Sequence, residues 1–271
     1  MGRAISPVDK VTSLARRISA ENLGQRLNLR LPDDEVGRLA RTFDDAFRRQ
    51  RQFTADASHE LRTPLTVMKG QVEVALQKER SNTEYREVLE AVNLEVDRLI
   101  GLAGSLLTLA RADAGEIPLT LEAVDLGELV SGTVEHMRPF AAKKNIGIEV
   151  TTGPAATVQV DEALILQLIL NLLDNAVKYT PEGGRVTVGW DRSTRVELWV
   201  EDTGIGIPEE HIPHVMDRFY RVDDSRGRSE GGVGLGLAIS RWIDEAHGGS
   251  LHVESNSGQD STFTAALPIA D

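Results

Sequence analysis

Apolar residues in the first 111 positions recur at steps of three and four, the spacing of one helix face. A first stripe covers residues 5–18, and a second begins at Val36 and continues without a helix breaker beyond Phe53. Residues 20–32 interrupt this spacing with Asn, Gly and Pro. The pattern therefore predicts two helices joined by an extended connector, the second continuing into a longer helical region.

The most regular helical pattern lies between residues 85 and 110. Steps of four and three alternate through Tyr85, Leu89, Val92, Val96, Leu99, Ala103, Leu106 and Ala110. A seam sustained over three heptads is typical of helices that pack side by side. Ser81 and Glu84 have the spacing of a capping box, which predicts the start of this helix.

Residues 50–111 are thus predicted to form a long helical hairpin, with Pro64 inside its first helix. A hairpin of two helices buries little apolar surface alone, so pairing of two copies into a four-helix bundle is the economical solution. A bundle within one chain, formed with the preceding helices, is the alternative.

The pattern changes after a linker at 114–118. Shorter segments follow, with helices predicted at 126–144, 161–179 and 235–247 and strands at 146–150, 157–160, 185–190, 195–201, 250–254 and 262–267. Because these elements do not follow strict βαβ order, we expect an α+β sandwich, a mixed sheet with helices on one face. The whole chain is predicted to be multidomain, with all-α helical hairpins before this sandwich.

Composition narrows the possible functions. The 271 residues carry 30 basic and 42 acidic side chains, a formal net charge of −12, which disfavours nucleic-acid binding. The absence of cysteine excludes disulfides, thiolate catalysis and cysteine-ligated metals. No apolar run approaches the roughly 18 residues that indicate a membrane span.

One predicted helix has a polar face on an otherwise apolar surface. Asn171, Asn175 and Lys178 are four and three residues apart and so share this face. Two amide oxygens and an ammonium group suit a Mg²⁺–triphosphate, although a solvated helix face is the simpler explanation. Two glycine clusters, at 204–206 and 231–236, could approach phosphates, but neither fits a Rossmann or P-loop spacing.

Four segments in this order resemble the nucleotide-binding boxes of bacterial sensor histidine kinases: 171–179, 202–206, 218–221 and 232–237. Residues 53–64 resemble the phosphoacceptor box of the same family, and residues 1–50 resemble a HAMP signal-relay module. The resemblance implies a HAMP module at 1–50, a dimerisation and phosphotransfer hairpin at 51–113 and a catalytic ATP-binding domain at 119–271.

The resemblance implies roles for three residues of the hairpin. His59 would attack the γ-phosphate of ATP, because neutral imidazole is nucleophilic and histidine is largely neutral at pH 7. Glu60 would orient or deprotonate this imidazole. Thr63, one helical turn further on, would align water for dephosphorylation of the partner protein.

The resemblance also implies the ATP contacts. Asp202 would accept a hydrogen bond from the adenine amino group, and Asn175 would ligate Mg²⁺ with help from Asn171. Lys178, Arg218 and Arg221 would contact phosphates, where they stabilise developing charge. The remaining expected nucleotide contacts are Tyr179 beside the base and, in the glycine loops, Gly204, Gly206, Gly232, Gly234, Gly236 and Leu237.

The sequence therefore predicts an ATP-dependent histidine kinase that is a homodimer and passes its phosphoryl group to an Asp of a response regulator receiver domain, with phosphatase activity toward it. The alternatives are an ATP-hydrolysing clamp, disfavoured because Asn171 replaces its catalytic glutamate, and a non-catalytic dimeric relay. A HAMP-like module normally follows a transmembrane helix. We therefore expect a soluble fragment of a protein anchored in the bacterial inner membrane, with its sensor N-terminal to Met1.

Overall fold

Two long helices form the N-terminal part of the computed structural model, which describes residues 35–151, 153–192, 194–222 and 232–269. Helix α1 is Glu35–Leu76 and helix α2 is Asn82–Asp113. The helix predicted at 5–18 and the connector at 20–32 lie outside the described residues. The chain divides into two compact units, the first ending at Val92 and the second beginning at Asn93.

Helix α1 is continuous through Pro64, which is buried, and through the domain boundary expected near residue 50. The capping box before α2 forms as predicted. The backbone N–H of Ser81 donates to Glu84 Oε2 at 2.8 Å, and the N–H of Glu84 donates to Ser81 Oγ at 3.3 Å. Two orphan donors at the helix start are thereby satisfied.

Both long helices expose apolar side chains. Leu65 and Leu76 of α1 are 53% and 75% exposed, and Leu89 of the predicted heptad seam is 67% exposed. The buried apolar residues of α2 are Leu102 and Leu109, which are not members of that seam. A single chain thus covers a line of residues beside the predicted seam and leaves much of the seam itself in solvent.

The remaining elements form the α+β part of the molecule. The helices are α3 (Leu126–Ala142), α4 (Glu162–Tyr179) and α5 (Gly236–Ala246), and a short 3₁₀ helix covers Glu209–His214. The strands are β1 (Glu122–Asp125), β2 (Gly147–Thr151), β3 (Thr157–Val160), β4 (Arg185–Arg192), β5 (Val196–Asp202), β6 (His252–Asn256) and β7 (Asp260–Leu267).

Five of the strands form a mixed sheet in the order β2-β4-β5-β7-β6, in which only β2 and β4 are parallel. Strands β1 and β3 form a separate antiparallel pair. Buried residues alternate with less buried ones along β5, as expected where helices cover one face of a sheet. The predicted α+β sandwich is therefore confirmed. Strand β1 was not predicted, since only one of its four residues is buried.

Helix α4 is the centre of the helical layer. It begins after Asp161, whose Oδ1 accepts a hydrogen bond from the N–H of Leu164 at 3.2 Å, and it packs between α3 and α5. Its buried residues are Ile165, Leu168, Ile169, Leu172, Leu173, Ala176 and Val177. This packing fixes the direction of the polar residues on the same helix. Among the described residues, no helix is long and apolar enough to cross a membrane.

Candidate functional site

A cavity of about 1080 Å³ lies in the second compact unit. Its walls come from α2, α4, the loop after β5 and the segments on either side of residues 223–231. Among the residues expected to bind nucleotide, the lining includes Asn171, Asn175, Lys178, Tyr179, Asp202, Gly206, Arg221, Gly232, Gly234, Gly236 and Leu237. The fold therefore brings four sequence segments into one cavity.

The polar face of α4 forms one wall of this cavity. The Nδ2 of Asn171 donates to the carbonyl oxygen of Gly236 at 3.2 Å and to Ser240 Oγ at 3.3 Å, which orients its amide between two helices. The Nζ of Lys178 lies 4.8 Å from the centre of the Tyr179 ring. A side chain at Gly232 would collide with this Nζ. The lysine therefore lies directly against residues 232–236, called the glycine segment below.

Asp202, the last residue of β5, also lines the cavity. It is 4% exposed, and its Oδ1 accepts a hydrogen bond from the N–H of Gly204 at 2.9 Å. Burial raises the pKa of Asp202 to about 6, against a smaller lowering effect of this hydrogen bond. A Cβ on residue 204 would lie 2.8 Å from the Tyr179 carbonyl oxygen and would collide with Asp202, so only glycine fits there.

Arg221 lines the cavity with a partly buried guanidinium. Its Nη2 is inaccessible to solvent and has no hydrogen-bond partner among the described residues. Buried guanidinium donors are normally satisfied, so an unpartnered one at a cavity wall favours an anionic ligand. This fits the phosphate contact that the resemblance implies for Arg221.

Arg218 and Gly204 do not line the cavity, although both were expected to bind nucleotide. The guanidinium of Arg218 instead donates two hydrogen bonds to Asp113, the last residue of α2, from Nη1 to Oδ2 at 2.7 Å and from Nη2 to Oδ1 at 2.6 Å. Gly204 donates a hydrogen bond from its N–H to Asp202 Oδ1, which does line the cavity.

The phosphoacceptor segment belongs to the first compact unit. His59 is exposed on α1, Glu60 is half-buried and Thr63 is exposed. The Thr63 hydroxyl donates to the His59 carbonyl oxygen at 3.2 Å, a hydrogen bond within one turn of the helix. The imidazole is thus open to an incoming reactant.

The cavity also contains charged residues that the sequence did not single out. Asp174 lies three residues after Asn171 on α4, Arg98 comes from α2, and Lys143 and Lys144 come from the turn after α3. The Nζ of Lys144 donates to the carbonyl oxygen of Lys178 at 2.9 Å and so supports the end of α4. Helical spacing could have identified Asp174, whereas no local pattern connects the other three to the site.

Three known families match consecutive parts of the chain. Residues 160–271 match the histidine kinase-, DNA gyrase B- and HSP90-like ATPase family, and residues 49–115 match the His Kinase A (phospho-acceptor) domain. Residues 1–52 match the HAMP domain. Most of the cavity lining therefore lies in the ATPase-like part, and its residues from α2 lie in the phospho-acceptor part, which also contains the exposed His59.

The chain belongs to the sensor histidine kinases. It is 34% identical to the sensor histidine kinase YkoH of Bacillus subtilis over 271 residues, which cover 97% of this chain and 59% of that protein. The chain thus spans about three fifths of the length of this curated relative.

Solved structures show the same architecture. Full-length ShkA in complex with AMPPNP is 31% identical, with a TM-score of 0.61 over 81% of this chain and 46% of that one. The histidine kinase ThkA in complex with the response regulator protein TrrA shares the fold at 23% identity, with a TM-score of 0.63 over 86% of this chain and 68% of that one.

Proposed function

We propose that this chain is the kinase portion of a two-component sensor, which phosphorylates itself on His59 with ATP. The observation that carries this proposal is the buried Nη2 of Arg221, which has no hydrogen-bond partner in the described part of the chain and lies in one cavity with Asp202 and the two asparagines of α4. This cavity offers a carboxylate for a base, amide oxygens for a metal and cations for phosphates. ShkA, which shares this architecture, was solved with an ATP analogue.

The proposed base contact uses Asp202. One of its oxygens is held by Gly204 N–H, and the carboxylate would accept a hydrogen bond from the adenine amino group. Guanine presents a carbonyl oxygen at the same position, which would face the carboxylate unfavourably. The site would therefore select adenine.

The proposed metal contacts use the amide oxygens of Asn175 and Asn171. Oxygen ligands of this kind suit Mg²⁺, which commonly shares its coordination with substrate phosphates. The Nδ2 hydrogen bonds of Asn171 to α5 fix its amide plane, and the residue lines the cavity. A bound Mg²⁺ would neutralise charge that develops on the phosphates, beside Lys178 and Arg221.

The proposed transfer step forms a P–N bond between an imidazole nitrogen of His59 and the γ-phosphorus. The bond between this phosphorus and the β,γ-bridging oxygen breaks, and ADP leaves with that oxygen. Glu60 accepts or orients the proton of the other imidazole nitrogen, so that the attacking nitrogen keeps its lone pair. The exposure of His59 allows both ATP and a later acceptor to approach it.

We further propose that the acceptor is an Asp of a response regulator receiver domain, and that Thr63 serves the reverse reaction by aligning water. The solved complex of ThkA with TrrA, a kinase of the same fold, supports this class of partner. The exposed apolar side chains of α1 and α2 support a homodimer, because a second copy would cover them. The HAMP match supports a native protein anchored in the bacterial inner membrane.

Labelling with γ-³²P-ATP tests the assignment of His59. We expect acid-labile, base-stable label on the wild-type protein and none on His59→Gln. His136→Gln is the matched control, since His136 is also exposed on a helix and lies outside the phosphoacceptor segment. Label that persists in His59→Gln would show that another residue accepts the phosphoryl group.

A further inference from the structure

Asp113 and Arg218 form a contact that no nucleotide role explains. Both oxygens of Asp113 accept hydrogen bonds from the Arg218 guanidinium, at 2.6 and 2.7 Å, across 105 residues of sequence. Paired hydrogen bonds of this kind are among the strongest ionic contacts in proteins and fix the orientation of both groups. An acidic side chain at the C-terminal end of α2 is unfavourable for the helix dipole, and this ion pair offsets that cost.

The segment beside Arg218 is fixed on two other sides. Phe219 has a left-handed backbone (φ 62°), and its N–H donates to the carbonyl oxygen of Gly234 at 2.8 Å. The hydroxyl of Tyr220 lies 2.6 Å from His211 Nδ1 in the 3₁₀ helix. Residues 218–220 are therefore attached to α2, to the glycine segment and to the 3₁₀ helix.

The backbone turn at Phe219 lies between two arginines that have different surroundings. Arg218 lies against α2 and is absent from the cavity lining, whereas Arg221, three residues later, lines the cavity with a buried donor. Gly232 and Gly234 line the same cavity. Any shift of residues 218–220 would therefore move both Arg221 and the glycine segment relative to α4.

We propose that Asp113 is a positioning residue for the nucleotide cavity: through Arg218 it fixes the base of the glycine segment and holds Arg221 toward the phosphates. This inference rests on the proposed function, since it requires a nucleotide in the cavity. It assigns Arg218 to the contact with α2 instead of to a phosphate. The position of α2 then influences how tightly nucleotide binds.

The two roles of Arg218 predict opposite effects of Asp113→Asn. If Arg218 were a phosphate ligand restrained by Asp113, removing the carboxylate would release it and tighten nucleotide binding. If Asp113 positions the site through Arg218, the same substitution weakens binding. We expect a loss of about three- to tenfold in affinity, the range for one exposed but paired ionic contact.

Calorimetric titration with Mg²⁺–AMPPNP tests the proposal on the full chain. We expect Asp113→Asn and Arg218→Ala to weaken binding similarly, and the double variant to be no weaker than either single one. The exchanged pair, Asp113→Arg with Arg218→Asp, should recover most of the affinity because the contact is restored with reversed charges. Glu116→Gln is the control, since it removes an exposed carboxylate three residues away and should leave affinity unchanged.

Tighter or unchanged binding by Asp113→Asn, or no recovery in the exchanged pair, would overturn the proposal. A lower melting temperature with unchanged affinity of the folded protein would likewise overturn it, because the pair would then be structural only. If the affinity changes appear as expected but His59 acquires no label, the positioning role stands and the phosphoacceptor assignment fails. A wild-type protein that binds no AMPPNP would overturn both.

Discussion

The phosphoacceptor segment and the nucleotide cavity are built in opposite ways. His59, Glu60 and Thr63 lie within two turns of one helix, and His59 is exposed. The cavity combines residues from α2, α4, β5 and α5, and its key carboxylate is almost fully buried. A nucleophile that must meet two different reactants needs access, whereas a site that holds a triphosphate gains strength from excluding water. Substitutions in the phosphoacceptor segment should therefore impair phosphoryl transfer, and substitutions in the cavity should impair nucleotide binding.

The largest effect is expected from Asn175→Asp. The new carboxylate would face the triphosphate in a partly dehydrated cavity, where like charges repel strongly, so we expect Mg²⁺–AMPPNP affinity to fall by about 100-fold or more. Calorimetric titration measures this directly, and His59→Gln should bind the analogue normally in the same experiment. The cavity would then be assigned to nucleotide binding and the phosphoacceptor segment to phosphoryl transfer.

Gln167→Glu is the matched control for this variant. It adds the same charge to α4, two turns earlier, at a position that does not line the cavity. We expect its affinity to stay within about twofold of the wild type. Full affinity in Asn175→Asp would refute the metal role of Asn175.

The sequence predicted these two regions unequally well. The phosphoacceptor segment is local, so a resemblance confined to residues 53–64 was sufficient to propose it. Helix α4 was also predicted closely: its apolar positions predicted a helix at 161–179, and the structure has it at Glu162–Tyr179. The cavity walls from Arg98, Lys143 and Lys144 depend on tertiary packing, and no spacing in the sequence indicates them.

Arg218 shows why the remainder of the site could not be predicted. The resemblance implied a phosphate contact for Arg218, but the left-handed backbone at Phe219 is uncommon for a residue other than glycine. The turn directs Arg218 to Asp113, which is 105 residues earlier in the chain. The short 3₁₀ helix at Glu209–His214 was missed for a related reason, since it buries no side chain fully and contains Pro213.

A smaller effect is expected from the ionisation of Asp202. Its pKa is raised to about 6 in the folded protein, so the carboxylate that we propose as the acceptor for the adenine amino group is lost as pH falls through that value. We expect AMPPNP affinity to decrease by about tenfold between pH 8 and pH 5 on this account. Phosphate groups also titrate in this range, so the comparison with Asp202→Asn isolates the residue.

Asp202→Asn should bind more weakly at pH 8 and lose most of the preference for AMPPNP over GMPPNP. Its affinity should depend less on pH than that of the wild type. An equal pH dependence in the two proteins would show that Asp202 does not titrate on binding. His59→Gln should retain the wild-type pH profile, because His59 lies outside the cavity.

The smallest effect concerns Asp244, a second buried carboxyl that lies on α5 and does not line the cavity. Burial raises its pKa from 3.8 to about 6, and its residue exposure is 0%. The folded protein therefore binds a proton more tightly than the unfolded chain does. Above pH 6 the ionised, buried carboxylate destabilises the fold, and this cost disappears as pH falls below the unfolded value near 4.

Asp244→Asn should accordingly raise the free energy of unfolding by about 1–2 kcal/mol at pH 8, less than the full pKa shift because an amide must also be buried. The gain should vanish by about pH 4, and Mg²⁺–AMPPNP affinity should stay unchanged at both values. Urea unfolding at the two pH values measures the first effect, with the exposed neighbour Glu245→Gln as control. A lower free energy of unfolding for Asp244→Asn than for the wild type at pH 8 would show that the ionised Asp244 carboxylate is well solvated or paired. Burial alone would then fail to explain the raised pKa of Asp244.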